Sequence, residues 1–240
     1  MITLLDLMKD LSYGELAQFK IGGLKPGEFD SEPDPTRYEQ LISAVNLGLK
    51  EIYKRFFLSS KEIYIQQYTQ IATYVLSSRY AQTNIASVEP IKYIMDTVDR
   101  PFLDDVLKIE EVYDEEGNKL PINDITEDLS VFTPNYRSVQ VPYPDDANTM
   151  AVQYRASHPR IIYTRALLPA DVEIELPNSL HEALLLYIAS RFATSIGGDQ
   201  GNEGNDYFQK FEASCNKVDE LGLEVQGEPG DWRFDQAGWV

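Results

Sequence analysis

Few side chains in this sequence have the type and spacing that chemistry requires. There are two histidines and one cysteine. His158 lies in Ser157-His158-Pro159, just after an alternating segment, and His181 lies in the first turn of a helical one. Neither belongs to an HExxH arrangement, where two imidazoles one helical turn apart would hold a metal beside a general base. Both are expected in surface or structural roles. Cys215 falls on the apolar stripe of a helix, where a buried thiol serves as a small hydrophobe. Carboxylates come in adjacent groups: Asp104-Asp105, Glu110-Glu111, Asp114-Glu115-Glu116, Glu127-Asp128 and Asp145-Asp146. Neighbours on a strand point to opposite faces, so adjacency alone makes neither an acid–base pair nor a metal site. The run from Asp114 to Asn118 lacks the alternating ligand spacing of an EF-hand loop and reads as a solvated hairpin tip. Gly197-Gly198-Asp199-Gln200-Gly201 follows a helix rather than a strand, and no Lys-Ser/Thr follows it, which argues against a phosphate loop. No G-x-S-x-G nucleophile elbow occurs. The expectation is a protein that is not an enzyme and needs no metal or cofactor.

The chain concentrates aromatic side chains near its end instead. Both tryptophans, Trp232 and Trp239, lie in LEVQGEPGDWRFDQAGWV with Phe234 between them. Two readings stand side by side: a tail folded back on its own domain, or an arm that docks on a neighbouring subunit with Trp as anchor.

These residues must be positioned by elements of two kinds. Pro177 precedes Asn178-Ser179, and Ser179-x-x-Glu182 has capping-box spacing. Leu180, Ala183, Leu184, Tyr187, Ile188, Phe192 and Ile196 recur at helical intervals until Gly197-Gly198. Tyr207, Phe208, Phe211, Cys215, Val218 and Leu221 form a second stripe, stopped at Gly222. A short connection favours antiparallel neighbours, so a helical hairpin is predicted. Its partner lies far upstream. Asp34 caps, Pro35 suits the first helical position, and Tyr38, Leu41, Ile42, Val45, Leu49, Ile52, Tyr53 and Phe56 share one face.

Between these helices the period changes from helical to alternating. Ile63 and Ile65, Val139, Val141 and Tyr143, Met150, Val152 and Tyr154, and Val172, Ile174 and Leu176 each alternate with polar residues, the pattern of half-buried strands. Gly117-Asn118 predicts a turn joining a strand near Leu107–Tyr113 to one near Lys119–Ile122, and residues 71–80 are expected as a further strand. At the N-terminus, Thr3-x-x-Asp6 and Ser12-x-x-Glu15 predict two short capped helices. The fold class expected is α+β: a helical core over 1–57 and 178–222, an inserted antiparallel β-sandwich or barrel over 58–177, and an extended C-terminal arm over 223–240.

Composition bounds the partners. The net charge is −18, from 21 Lys+Arg against 39 Asp+Glu. A protein that grips nucleic acid neutralises phosphates with basic patches. This balance argues against tight DNA binding and suits either simple solubility or a surface that DNA passes without sticking. No apolar run approaches the roughly 20 residues that a membrane-spanning helix needs. Asp6 and Asp10 interrupt the N-terminal leucines, unlike a signal peptide, and one cysteine permits no intrachain disulfide. Synthesis in the cytoplasm is expected.

Three stretches together resemble the head-to-tail adaptor proteins of tailed bacteriophages, including tail-tubular-A-like proteins. They are LSYGELAQFKIGG, PTRYEQLISAVNLGLKEIYKRF with the following DRPFLDDVLKIEEVYDEEGNKLPIND, and LPNSLHEALLLYIASRF…YFQKFEASCNKV. The resemblance implies a structural virion protein of the neck, between head and tail. It implies a ring with the portal's symmetry, dodecameric, that seals the DNA-filled head, carries the tail or nozzle protein and lines the ejection channel. It implies also a C-terminal segment that engages the portal, here the segment with Trp232, Phe234 and Trp239. The alternative, from a different class, is a virion β-sandwich module that binds carbohydrate or a receptor; 15 tyrosines would suit such a face.

Overall fold

Where the sequence changes period, the chain changes secondary structure. A computed structural model of the protein describes residues 2–14, 35–162, 164, 169–195 and 201–223. Among them it is a mixed α and β protein with four helices and antiparallel sheets. The helices are α1 (Leu4–Tyr13), α2 (Pro35–Arg55), α3 (His181–Ser195) and α4 (Gly201–Glu220). The strands are β1 (Ile2–Thr3), β2 (Ser60–Gln66), β3 (Thr73–Val75), β4 (Ile94–Met95), β5 (Val106–Tyr113), β6 (Phe132–Asn135), β7 (Ser138–Gln140), β8 (Thr149–Ala156) and β9 (Glu173–Ile174). The chain divides into two units: Met1–Gly48 with Arg55–Phe57 and Tyr163–Val240, and Leu49–Lys54 with Leu58–Ile162.

In the first unit Thr3 caps α1. Its hydroxyl accepts from the Asp6 N–H at 3.1 Å and donates to the Asp6 carboxylate at 2.7 Å. Leu4, Leu7, Met8 and Leu11 are buried at helical spacing. Ser12, expected to start a second helix, lies inside α1, and its hydroxyl donates to the Lys9 carbonyl. Glu15 and the glycines that follow lie outside the described residues, as does the expected cap Asp34. Ser179 sits inside a 3-10 turn, Asn178–Leu180, whose capping residue is Pro177 with no side-chain bond, and α3 begins only at His181.

Helix α3 is buried over much of its circumference: Ala183, Leu184, Leu186, Tyr187, Ile188, Ala189 and Ser190 are all inside. It packs along α4, with Tyr187 edge-on to Phe211 at 5.2 Å between ring centres. Helix α2 approaches α3 at Gly48, where a side chain would meet Leu184. Arg55, at the end of α2, ties to α4 through Glu212 at 3.0 Å and Asp219 at 3.1 Å. Strand β9 pairs with β1, Ile2 opposite Ile174. The alternation at 172–176 therefore belongs to this unit and not to the region of sheets, which ends at Ile162 in this division rather than at 177.

The second unit holds a four-stranded sheet, in the order β4-β2-β8-β5, and a three-stranded one, β3-β7-β6. Alternation gives Ile63 and Ile65 to the interior and Tyr64 to the surface. Residues from both sheets, among them Ile65, Val112, Val152, Tyr74 and Val139, enter one apolar cluster. Tyr93 closes the free edge of β3: its hydroxyl accepts from the Val75 N–H at 2.8 Å and donates to the Val75 carbonyl at 2.9 Å. The chain enters and leaves side by side, Ser60 opposite Arg155 and the Ala156 N–H on the Ser59 carbonyl.

Two strands are shorter than their patterns. Over 71–80 only Thr73–Val75 is strand, because Asp104 accepts from both the amide and the hydroxyl of Ser78 and holds Ser78–Tyr80 in a 3-10 turn. After the turn at Gly117 (φ +84°), pairing is limited to isolated bridges at Lys119 and Ile122. Pro121 lacks the N–H that a ladder would use there.

Candidate functional site

The groups with chemical potential are separated and mostly consumed. His158 places Nδ1 2.6 Å from the Pro159 carbonyl and stands edge-on to Tyr53 at 5.5 Å. His181 places Nε2 3.5 Å from an Asp10 oxygen, joining α3 to α1 when the ring is protonated. Cys215 is fully buried, and burial pushes its thiol up to about 11, which keeps it from acting as a thiolate at neutral pH. The carboxylate pairs diverge as adjacency predicts. Asp104 serves Ser78, while Asp105 binds Lys61 at 2.5 Å and the Tyr154 hydroxyl at 3.0 Å. Glu110 binds Arg155 and Lys108; Glu111 binds Lys119 and the Tyr113 hydroxyl. Burial and the Asp105 charge together push the Tyr154 phenol far above its ordinary range. Among the described residues no group of three or more His, Cys, Asp or Glu is placed to hold a metal.

The hairpin tip at Asp114 is a turn. Its carboxylate accepts from the Glu116 and Asn118 amides, donors that overcome desolvation and hold the acid below the usual range. The registers put this tip at one end of the second unit, with the loops 123–130 and 141–148 beside it. Glu115, Glu116, Asp124, Glu127, Asp128, Asp145 and Asp146 are exposed there. Asp124 accepts from Thr126 and is lowered for that reason, but these acids face water.

Tyrosines that a sugar-binding face would need are dispersed. Tyr74, Tyr93 and Tyr154 are buried in the second unit. Of the exposed ones in that unit, Tyr64 lies on the four-stranded sheet, Tyr136 in the β6–β7 turn, and Tyr143 at the opposite end of β7.

Trp232, Phe234 and Trp239 lie outside the described residues, so the interface expected of them has no geometry here. What is described is the place from which that segment leaves. Gly222 (φ +59°) ends α4, with its N–H on the Asp219 carbonyl at 3.1 Å and the Leu223 N–H on the Val218 carbonyl at 3.3 Å. This is a Schellman ending, which needs the left-handed conformation that glycine adopts freely. The α4 stripe is also incomplete. Phe211, Cys215 and Val218 are buried, but Phe208 is 40% exposed and Leu221 60%. Phe208 nevertheless touches the core, 5.7 Å from Phe211 and 6.5 Å from Tyr187. Arg191 lies over the Tyr187 ring at 5.0 Å and donates to its hydroxyl at 2.7 Å; Lys210 lies over Tyr207 at 5.1 Å. Sequence periodicity counted Phe208 as interior because it stands three residues before Phe211. The adjacent pair Tyr207-Phe208 was the available sign that the stripe exceeds one buried face.

No family model matches this chain, and no curated protein matches it.

Proposed function

We propose that the chain is a non-enzymatic adaptor of a tailed-bacteriophage neck, built to form a ring below the portal, seal the filled head and carry the tail or nozzle protein. The observation that supports this most is the division of labour along the chain. From the distant α2, Gly48 lies against Leu184 and Tyr187 of α3 and Arg55 binds Glu212 and Asp219 of α4, and between these stretches lie antiparallel sheets entered and left at Ser59 and Ala156. In this reading α2, α3 and α4 form the helical adaptor core, the two sheets form an inserted β-sandwich, and residues 223–240 form the arm. The partners are the portal, the tail protein and further copies of the chain. Subunits of such a ring meet heterologously and close by rotation. The net charge of −18 suits a channel that DNA slides through without specific binding, and the site of action is the virion.

The arm assignment is tested by truncation after Leu223. The shortened chain should keep its helical circular dichroism and lose attachment to the cognate portal. Attachment equal to that of the full chain would overturn the assignment of Trp232, Phe234 and Trp239 as anchors.

A further inference from the structure

We infer that copies of this chain join through the second unit, with the loop 123–130 of one copy seated against the Tyr136–Arg137 turn of the next. The inference rests on the ring reading and deepens it by naming faces at which subunits meet. Its test contains no portal, so failure of this contact and failure of the adaptor reading are separate results.

The loop carries apolar side chains in water and is held in shape. Ile125 is 88% exposed and Leu129 72%. Single surface aliphatics need no explanation, but two on one short loop form a patch. Asn123 (φ +59°) turns the chain into the loop; its amide donates to the Thr133 hydroxyl at 2.8 Å and its oxygen accepts from the Thr133 N–H at 2.9 Å. At the closing end the Asp124 N–H donates to the hydroxyl of fully buried Ser130 at 3.0 Å, and the Ser130 N–H donates to the Glu127 carbonyl at 3.1 Å. A loop already fixed in this way loses little further freedom when a partner binds. Asp124, Glu127 and Asp128 are exposed beside the two aliphatics, and among the described residues no Lys or Arg pairs with them.

The occupant follows from complementarity. At the other end of β6, Tyr136 is 58% exposed and the Arg137 guanidinium lies 5.7 Å from its ring centre. Among the described residues no carboxylate pairs with Arg137. Tyr and Arg are residue types that interfaces favour, and their charge is opposite to that of the loop. A second arginine stands close by. The Leu76 N–H donates to the Arg137 carbonyl at 2.8 Å, and the Ser78–Tyr80 turn that follows carries exposed Arg79, 4.6 Å over the Tyr80 ring and 3.8 Å from Glu89. Asp104, beside that turn, is engaged by Ser78. One chain cannot bring the two surfaces together, because β6 (Phe132–Asn135) separates them by about 13 Å at the usual rise per residue. The contact is therefore made between copies and is heterologous, each added copy leaving one end open for the next.

Sedimentation velocity of the full chain at low salt, over rising concentration, tests the contact. The natural chain should shift from monomer to larger species, and return toward monomer in about 1 M salt, where the screening length is about 3 Å. Leu129→Ser, Arg137→Glu, and Glu127→Arg combined with Asp128→Arg all fall at exposed positions. Each change should leave far-UV dichroism unaltered and keep the protein monomeric over the same range. Mixing the Arg137→Glu chain with the Glu127→Arg/Asp128→Arg chain should restore association, in equal proportions, because every end then meets one of opposite sign. A natural chain that stays monomeric throughout would overturn the inference. So would association that survives either charge reversal, or a mixture that remains monomeric.

Discussion

Asp96 carries the clearest consequence of a single side chain. Burial alone would raise its carboxyl. The Thr83 hydroxyl and amide (the latter at 2.9 Å) and the Phe102 amide at 3.0 Å all donate to it, and together they hold it below the ordinary range. A carboxyl depressed in the folded state stabilises fully above its unfolded pKa of about 4, and that stabilisation is lost as pH falls through the lower folded value. Asp96→Asn should therefore cost about 1–3 kcal/mol near neutral pH, measured by urea unfolding. The difference from the natural chain should shrink as pH falls below about 4. Little of this was legible in the sequence, where Asp96 is one acid among many and its three donors come from Thr83 and Phe102 in different turns. Cys215 was legible, since an apolar stripe of period 3.6 puts it inside without knowledge of any partner.

Among the elements, long amphipathic helices were legible because their own period defines the buried face. The stripe positions Leu41, Ile42, Val45, Leu49, Ile52 and Tyr53 of α2 are all interior, as is Phe56 just after it. Short elements were not. Whether Ser12 starts a helix or continues one depends on the three-residue stretch before it, and whether 71–80 stays extended depends on Asp104, twenty-odd residues away. Close approach between helices is a similar long-range fact. At Gly48 an added Cβ would lie 2.7 Å from Leu184 Cδ1 and 3.0 Å from Tyr187 Cδ1. Gly48→Val should cost about 1–3 kcal/mol through overpacking. For Gly48→Ala the gain in helix propensity, about 1 kcal/mol, opposes the crowding, and the net change in unfolding free energy should be small.

At the scale of the molecule, the order helix, sheets, helices could be read from the change of period, but the boundary of the sheet region could not. The alternation at 172–176 resembles that of any strand, and only its pairing with Ile2–Thr3 assigns it to the helical unit. Because the Ser59 carbonyl accepts from the Ala156 N–H, residues 60–155 begin and end side by side, and a short linker can span the gap that their removal leaves. The shortened protein should stay soluble and keep a strong helical dichroism; loss of that signal would show that the helices depend on the sheets for folding. Where the acidic surface and the C-terminal aromatics act depends on partners, and the central proposal is that the partner is a portal. Electron cryo-microscopy of the purified chain mixed with its portal measures this most directly. The account predicts a closed ring of uniform copy number with the portal's symmetry. A chain that stays monomeric and unattached beside intact portals at low salt would contradict it.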